Sequence, residues 1–289
     1  MREVAWIERE IRPFGLEIEL KLDQPWPESF AARLPELFAR HKLLLFRNQR
    51  LSEERQVELM ALLGPVLGAA GEYRELSSDG NLGDGPLAWH SDLAFTEKPF
   101  QAISLLATEV NDGQSWTAFT NGADCAAALP GELADRLAGL EATTVISMIQ
   151  SHRAVGWDVP EFLPSQTRPL LASHPKTGEP VLYISEMQTA RVEGLPREES
   201  DALLADLFAR LYAAERVYRH HWENGDLLVW DNFALQHSRC DLAGMHPRRM
   251  QRIVCATKSF FELLPQFSLD DPRIAAWGQG SELALSEGD

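Results

Sequence analysis

Apolar positions recur along the chain with two different periods, which separate the predicted helices from the predicted strands. At 198–214 apolar residues return every three or four positions, as on the buried face of an amphipathic helix, and 28–41 shows the same pattern despite Pro35. At 14–22 they alternate with polar residues, as in a half-buried strand. Helices are predicted at 28–41, 52–63, 124–140 and 198–214, and strands at 14–22, 42–46, 101–110, 143–149, 181–185, 227–230 and 253–257.

The order of these elements predicts a mainly β fold with flanking α-helices. Strands and helices do not alternate as in a βαβ series, and no glycine-rich phosphate loop follows a strand. A jelly roll, the double-stranded β-helix core of cupin-like proteins, fits this order best. No repeat or linker divides the chain, so residues 1–289 are predicted to form a single domain, with a loop rich in Gly, Asp, Ser and Asn at 71–86.

Composition and charge limit the kinds of molecule that the protein is expected to bind. The formal net charge is −16, from 43 acidic and 27 basic residues, which argues against a broad basic face for nucleic acid but not against a buried arginine that binds a small anion. The three cysteines, at 125, 240 and 255, suggest neither a disulfide framework nor a zinc ribbon. No secretory signal or membrane-spanning apolar run is visible, so we expect a cytoplasmic protein.

One short motif combines a histidine with a carboxylate. His90-Ser91-Asp92 is the only His-x-Asp in the chain, and on a strand both side chains would point to one face. Alone, a motif of this length carries a high false-positive risk. A second histidine, His237, follows the segment 225–232, and two histidines with one carboxylate form the facial triad of non-heme iron(II) oxygenases. A competing His-x-Glu at 221–223 lies only fourteen residues before His237.

Two arginines follow the second histidine. Arg248 and Arg252 would face the same side of a strand, and a guanidinium can hold a carboxylate through two parallel hydrogen bonds. The residues therefore predict a metal centre with a cationic site for an anionic ligand beside it.

These motifs together resemble the TauD/TfdA family of Fe(II)/2-oxoglutarate-dependent dioxygenases. The resemblance runs in order from about residue 40 to 260, and its motifs are Trp89-His90-Ser91-Asp92-Leu93 with Phe95, His174-Pro-Lys-Thr-Gly178, Arg191-Val-Glu-Gly194-Leu195, Gly225-Asp226-Leu-Leu-Val-Trp-Asp-Asn232, His237 and Arg248 to Arg252. It implies an oxygenase that needs Fe(II), 2-oxoglutarate and O2, with iron bound by His90, Asp92 and His237. Dimers or tetramers are common in the family, so a homo-oligomer is expected by analogy.

The resemblance also assigns roles around the metal. Arg248 would bind the distal carboxylate of 2-oxoglutarate, and Arg252 would meet an anionic group of the substrate. The family's GGDT segment is replaced by Asp112-Gly-Gln-Ser115, so Ser115 would supply the hydroxyl that supports 2-oxoglutarate, with an altered loop. Tyr73 and Phe95 are expected near the substrate.

The substrate is predicted to be a small anionic molecule oxidised at a C–H bond. The segment 84–105 is similar to secondary-metabolite oxygenases of the PvcB type, which implies decarboxylative desaturation of a tyrosine-derived isonitrile. Alternatives are a hydroxylase of a sulfonate, aryloxy acid or amino-acid derivative, a cupin-like metalloenzyme that does not use 2-oxoglutarate, and a metal-free jelly-roll binding module.

Overall fold

The computed structural model describes residues 5–68, 74–80, 83–147, 149–153, 155–268 and 271–273. The helices are α1 (Glu28–His41), α2 (Glu53–Ala61), α3 (Gly122–Ala127), α4 (Gly131–Leu137), α5 (Arg197–Leu211) and α6 (Phe260–Leu263). The strands are β1 (Ile7–Glu10), β2 (Leu16–Glu19), β3 (Leu43–Phe46), β4 (Glu75–Ser77), β5 (Leu87–His90), β6 (Ala102–Glu109), β7 (Trp116–Asn121), β8 (Glu141–Val145), β9 (Ser165–Pro169), β10 (Leu171–Ser173), β11 (Pro180–Leu182), β12 (Thr189–Val192), β13 (Val217–His221), β14 (Leu227–Asp231), β15 (Leu235–Arg239) and β16 (Arg249–Cys255).

Two sheets form the jelly-roll core. The larger has the strand order β1-β2-β3-β14-β6-β16-β4, and the smaller has the order β13-β7-β15-β5. Side chains from both sheets meet in one hydrophobic cluster; Phe119 of β7, for example, contacts Trp230 of β14 edge-on, with ring centroids 5.4 Å apart. The predicted mainly β, jelly-roll fold is confirmed.

Helices α1 and α2 cover the other face of the larger sheet. The buried side of α1 carries Phe30, Leu34 and Phe38, which pack in a second cluster with residues of β2, β3 and α2. The hydroxyl of Ser52 accepts a hydrogen bond from Arg55 N and so caps α2. Both helices lie where the sequence predicts them.

Other predicted boundaries differ from the structure. The helix predicted at 124–140 is two helices, α3 and α4, because Pro130 interrupts the run and begins the second one as its N-cap. The strand predicted at 14–22 is limited to β2. The predicted loop at 71–86 contains β4, which pairs with β16, and its residues 71–73 and 81–82 lie outside the described residues.

The remaining strands form two smaller sheets, β12-β8-β9 and β10-β11. Helix α5 packs over this region through Leu203, Leu204, Leu207 and Leu211. Within the described ranges, no helix has the length and apolar character needed to cross a membrane. The fold thus leaves the space between the two main sheets as the place for a site.

Candidate metal centre and the cavity around it

His90, Asp92 and His237 come together at one end of the space between the sheets. Asp92 Oδ1 lies 3.4 Å from His90 Nε2 and 3.6 Å from His237 Nε2. One donor atom from each residue lies within 4.8 Å of the others, and no other group of three metal-binding side chains meets this criterion in the described part of the chain. The two histidines are cross-strand partners of β5 and β15, which explains how residues so distant in sequence meet.

A local hydrogen bond determines the tautomer of His90. Its Nδ1 lies 2.8 Å from the carbonyl oxygen of Ala88, which can only accept, so Nδ1 carries the proton. The lone pair of Nε2 is therefore directed toward Asp92. This is the tautomer that a metal ligand requires.

Asp92 lies just beyond the end of β5, and a side-chain amide fixes its backbone. Asn232 Oδ1 accepts a hydrogen bond from Asp92 N at 2.9 Å, and Asn232 Nδ2 donates to Asp92 O at 2.9 Å and to Phe100 O at 3.0 Å. Asn232 follows directly after β14 and is fully buried. The position of the carboxylate thus depends on a residue of the opposite sheet.

Arg252 holds the second oxygen of the same carboxylate. Its Nη2 lies 2.7 Å from Asp92 Oδ2, which leaves Oδ1 facing the two imidazoles. Burial raises the pKa of Asp92, but the adjacent His90 and the charge of Arg252 outweigh it and hold the pKa well below its usual range. Burial, followed by the influence of His90, lowers the pKa of His237 to about 3. The centre therefore presents one carboxylate and a neutral His237.

A second cationic region lies toward the other end of the cavity. Arg248 is 4% exposed; its Nη2 lies 3.4 Å from the hydroxyl of Thr117, and its guanidinium stands 5.3 Å from the ring centre of Trp222. Arg239, also 4% exposed, is the cross-strand partner of Thr117. Burial, and then the charge of Arg239, lowers the pKa of Arg248. Arg239 and Thr117 were not predicted as site residues.

The triad and these arginines line one cavity of about 550 Å³. Phe95 and Arg252, two of the residues expected near the substrate, line it, whereas Tyr73 lies outside the described residues. Ser115 is buried just before β7 and is not among the lining residues; the hydroxyl that lines the cavity beside Arg248 is that of Thr117. The apolar part of the wall consists of Leu76, Leu87, Leu93, Phe95, Phe100, Leu105, Ile146, Met187, Trp230, Phe260 and Phe267.

The competing His-x-Glu does not contribute to this centre. His221 is exposed at the end of β13, and its Nδ1 lies 3.2 Å from Gly113 O. Two other histidines serve the scaffold: His174 Nε2 lies 2.9 Å from Asp231 Oδ2, and His220 Nε2 lies 3.0 Å from Asp226 Oδ2. Of the histidines in the described ranges, only His90 and His237 line the cavity.

Comparison with known proteins agrees with this geometry. Residues 8–254 match the family model "Taurine catabolism dioxygenase TauD, TfdA family". The chain is 29% identical to an alpha-ketoglutarate-dependent sulfate ester dioxygenase of Pseudomonas putida over 84% of each chain. It is 31% identical to an alpha-ketoglutarate-dependent 2,4-dichlorophenoxyacetate dioxygenase of Cupriavidus pinatubonensis over 68% of this chain and 77% of that one.

A solved structure shares the fold. A taurine dioxygenase from Burkholderia xenovorans superposes with a TM-score of 0.72 at 25% identity, over 88% of this chain and 91% of that one.

Proposed function

The chain belongs to the TauD, TfdA family of dioxygenases, and from this premise we propose that it uses Fe(II), 2-oxoglutarate and O2 to oxidise a C–H bond of a small anionic substrate. The observation that carries the proposal is the convergence of His90, Asp92 and His237 at a cavity that also contains the buried Arg248. An iron ligand set and a carboxylate-binding guanidinium in one cavity are what this chemistry requires.

The donor atoms of the triad fit Fe(II). Two imidazoles and one carboxylate, with the rest of the coordination sphere open, suit a non-heme iron that binds both a co-substrate and O2. His90 is held in the right tautomer by Ala88 O, and Asp92 is oriented through Arg252 and Asn232. We propose that these three side chains hold the iron.

Arg248 is proposed to bind the distal carboxylate of 2-oxoglutarate. Its buried guanidinium has an Nε without a hydrogen-bond partner in the described structure, and an anionic ligand would satisfy it. Thr117 lies beside it and can donate its hydroxyl to the same carboxylate. A contribution from Ser115, whose buried hydroxyl has no hydrogen-bond partner among the described atoms, stays a prediction.

Iron, 2-oxoglutarate and O2, when bound, would together supply the oxidant for the C–H bond. In that reaction 2-oxoglutarate would be decarboxylated to succinate and CO2. The chain provides the rest. Asp92 and the imidazoles keep the metal at one place, and Arg248 orients the co-substrate. Phe95, Trp230 and the other apolar side chains keep water from the reacting atoms.

The proposed substrate is an anion with an apolar body. Arg252 lines the cavity next to the metal ligands and would attract an anionic group, while Phe95, Ile146 and Met187 offer an apolar surface to the remainder. Relatives named for 2,4-dichlorophenoxyacetate and for pentalenolactone F synthesis support this class. The tyrosine-derived isonitrile suggested by the sequence has the same character and stays a prediction, as does the choice between hydroxylation and desaturation.

Anaerobic titration tests the cofactor assignment. Apo-protein receives Fe(II) and then 2-oxoglutarate, and the visible metal-to-ligand charge-transfer band is recorded. We expect a band that requires both additions, is absent in His90→Ala, and needs more 2-oxoglutarate in Arg248→Ala. A folded, iron-loaded wild type without a band would exclude the use of 2-oxoglutarate and favour the cupin-like alternative.

A substrate panel then tests the apolar anion. Aryloxy acids, alkyl sulfates, taurine and a tyrosine-derived isonitrile are added to the charge-transfer complex, and succinate is measured after O2 is admitted. We expect aryl-bearing anions to shift the band and to raise the yield of succinate more than taurine does. A protein that responds to taurine alone would contradict the apolar-body proposal.

A further inference from the structure

Arg239 is a cavity-lining arginine to which neither the motifs nor the proposed function gives a role. It lies two residues after His237 on β15, so both side chains project from the same face of the strand. The two positions are about 7 Å apart along the strand. Arg239 therefore faces the same cavity as the metal centre but at a distance from it.

The guanidinium of Arg239 is buried and only partly hydrogen-bonded. Its Nη2 donates to Gly85 O, whereas its Nε and Nη1 are buried and have no hydrogen-bond partner among the described residues. No carboxylate among the described residues forms an ion pair with it. Burial lowers the pKa of Arg239, and the nearby Asp84 and Asp241 offset only part of this effect. Burying a cation in this way costs considerable free energy unless an anion compensates it.

The charges that line the cavity do not balance. Among the described residues three arginines line it, but Asp92 is the only carboxylate there, and Asp92 is already paired with Arg252 at 2.7 Å. Arg239 and Arg248 are left as two buried cations that line the cavity with unpaired N–H donors and form no ion pair with a carboxylate of the described ranges. A ligand that supplies negative charge at this end would complete the site.

Thr117 shows that Arg239 and Arg248 lie at the end of the cavity away from the metal centre. It is the cross-strand partner of Arg239 on β7, and its hydroxyl lies 3.4 Å from Arg248 Nη2. Two residues further along β7, Phe119 is the cross-strand partner of His237, at the metal end. Arg239, Thr117 and Arg248 thus form one cluster, separated from Arg252, which contacts Asp92.

We propose that Arg239 acts with Arg248 as a two-guanidinium site for the distal carboxylate of 2-oxoglutarate, which makes the chain select a dicarboxylate co-substrate. The inference rests on the proposed function. One carboxylate accepts several charge-assisted hydrogen bonds, so two guanidinium groups and a hydroxyl can bind it together. Arg239 would thereby join the co-substrate to the strand that carries His237.

The test compares two 2-oxo acids that differ only at the far end. 2-Oxopentanoate has the carbon chain of 2-oxoglutarate with a methyl group in place of the distal carboxylate. Both are titrated by calorimetry into Mn(II)-loaded wild type, Arg239→Gln and Arg248→Gln, under conditions in which no turnover occurs. Arg248→Gln is the matched control, because it removes the neighbouring guanidinium of the same cluster.

We expect Arg239→Gln to weaken binding of 2-oxoglutarate roughly 10- to 100-fold, the scale of a hydrogen bond to a charged group, and to change binding of 2-oxopentanoate less than about twofold. If Arg239 only anchors the backbone at Gly85, the variant will weaken both ligands alike or neither, and either result overturns the inference. Arg239→Lys, which keeps the charge but not the planar donor geometry, is titrated beside it and carries the test if Arg239→Gln does not fold.

The same titration separates this inference from the proposed function. Wild type that binds neither 2-oxo acid in the presence of metal would overturn the proposed function, whatever the variants do. Wild type that binds 2-oxoglutarate tightly, with Arg239→Gln and Arg239→Lys unchanged, would overturn only the role of Arg239.

Discussion

Two separate contacts hold Asp92, and each has its own consequence. Asn232 fixes the backbone of Asp92 from the opposite sheet, and Arg252 binds one carboxylate oxygen. The remaining oxygen faces His90 and His237. These contacts fix the orientation of Asp92, although this metal-ligand residue lies outside regular secondary structure.

Replacement of Asn232 by Ala should therefore weaken metal binding. Loss of the amide frees Asp92 to move, and loss of a group that orients a metal ligand commonly costs about 10- to 100-fold in affinity. Mn(II) affinity measured by calorimetry checks this. Asn224→Ala is the matched control, because Asn224 binds Val110 N and O in the same way, away from the metal centre. Equal metal affinity in Asn232→Ala and wild type would contradict the role of Asn232.

His220 should make stability depend on pH in a predictable direction. Burial lowers the pKa of His220 below its ordinary value, although the nearby Asp226 raises it in part. The unfolded chain then takes up a proton near pH 6.5 before the folded one does, so this contribution to stability is complete above pH 6.5 and is lost as pH falls through the folded pKa.

The measurement is urea unfolding at pH 8 and pH 5.5 for wild type and His220→Gln. Groups that titrate in both proteins cancel in the comparison, so the loss of stability on acidification should be smaller in the variant. An equal loss in the two proteins would show that His220 does not titrate differently on folding.

At the scale of single residues, the sequence identifies the site residues that belong to a motif. It misses those whose role comes from a contact with the opposite sheet. The spacing of His90 and Asp92 and the later His237 predicted the cluster that the structure contains. Arg239 lies two positions after His237 on the same strand, so both side chains point to one face, and this spacing could have identified Arg239 as a site residue. The contact between Asn232 and Asp92 joins the two sheets, and nothing in the local pattern indicates it.

At the scale of elements, helices were predicted better than short strands. The apolar face of 28–41 predicted α1 to the residue, because a period of about 3.6 residues is distinct when it is repeated over 14 residues with the buried side chains on one side. Strands β9, β10 and β12 were not predicted; they have three to five residues each, too few to establish an alternation. Their pairing is a consequence of tertiary structure rather than of local sequence.

The turn between β13 and β14 offers a test of how these elements fit together. Gly225 has φ +83°, and a Cβ there would lie 2.8 Å from Gln49 O and 3.1 Å from Gln49 N. Left-handed backbone costs an L-residue about 1–2 kcal/mol, and the clash adds about 1–3 kcal/mol. Gly225→Ala should therefore lose roughly 2–5 kcal/mol of unfolding free energy.

Gly194→Ala provides the control for that estimate. Gly194 has φ +77°, but a Cβ there meets no atom within 4 Å, so only the backbone cost of about 1–2 kcal/mol applies. Urea unfolding of both variants separates the two effects. Equal losses would mean that the contact between the turn and Gln49 relaxes without cost.

At the scale of the whole molecule, the charge of the chain and that of its cavity have opposite signs. The formal net charge is −16, yet Arg239, Arg248 and Arg252 line the buried cavity, where Asp92 is the only carboxylate among the residues that the structure describes. Buried charges are screened less than surface charges, so the local guanidinium groups dominate recognition of an anion there.

Two expectations about the whole molecule stay predictions. They are the single domain over 1–289 and the homo-oligomer.

Because the site draws residues from β5, β7, β15 and β16, its ligands should stabilise the fold as a whole. A ligand at one hundred times its dissociation constant that binds only the folded state adds about 2.7 kcal/mol, or roughly 5 °C in Tm. Thermal melts with Mn(II), and with Mn(II) and 2-oxoglutarate, should show two successive rises that a chelator reverses. His90→Ala should lose the first rise and most of the second. An equal rise with 2-oxoglutarate in the presence of chelator would mean that the co-substrate binds without the metal.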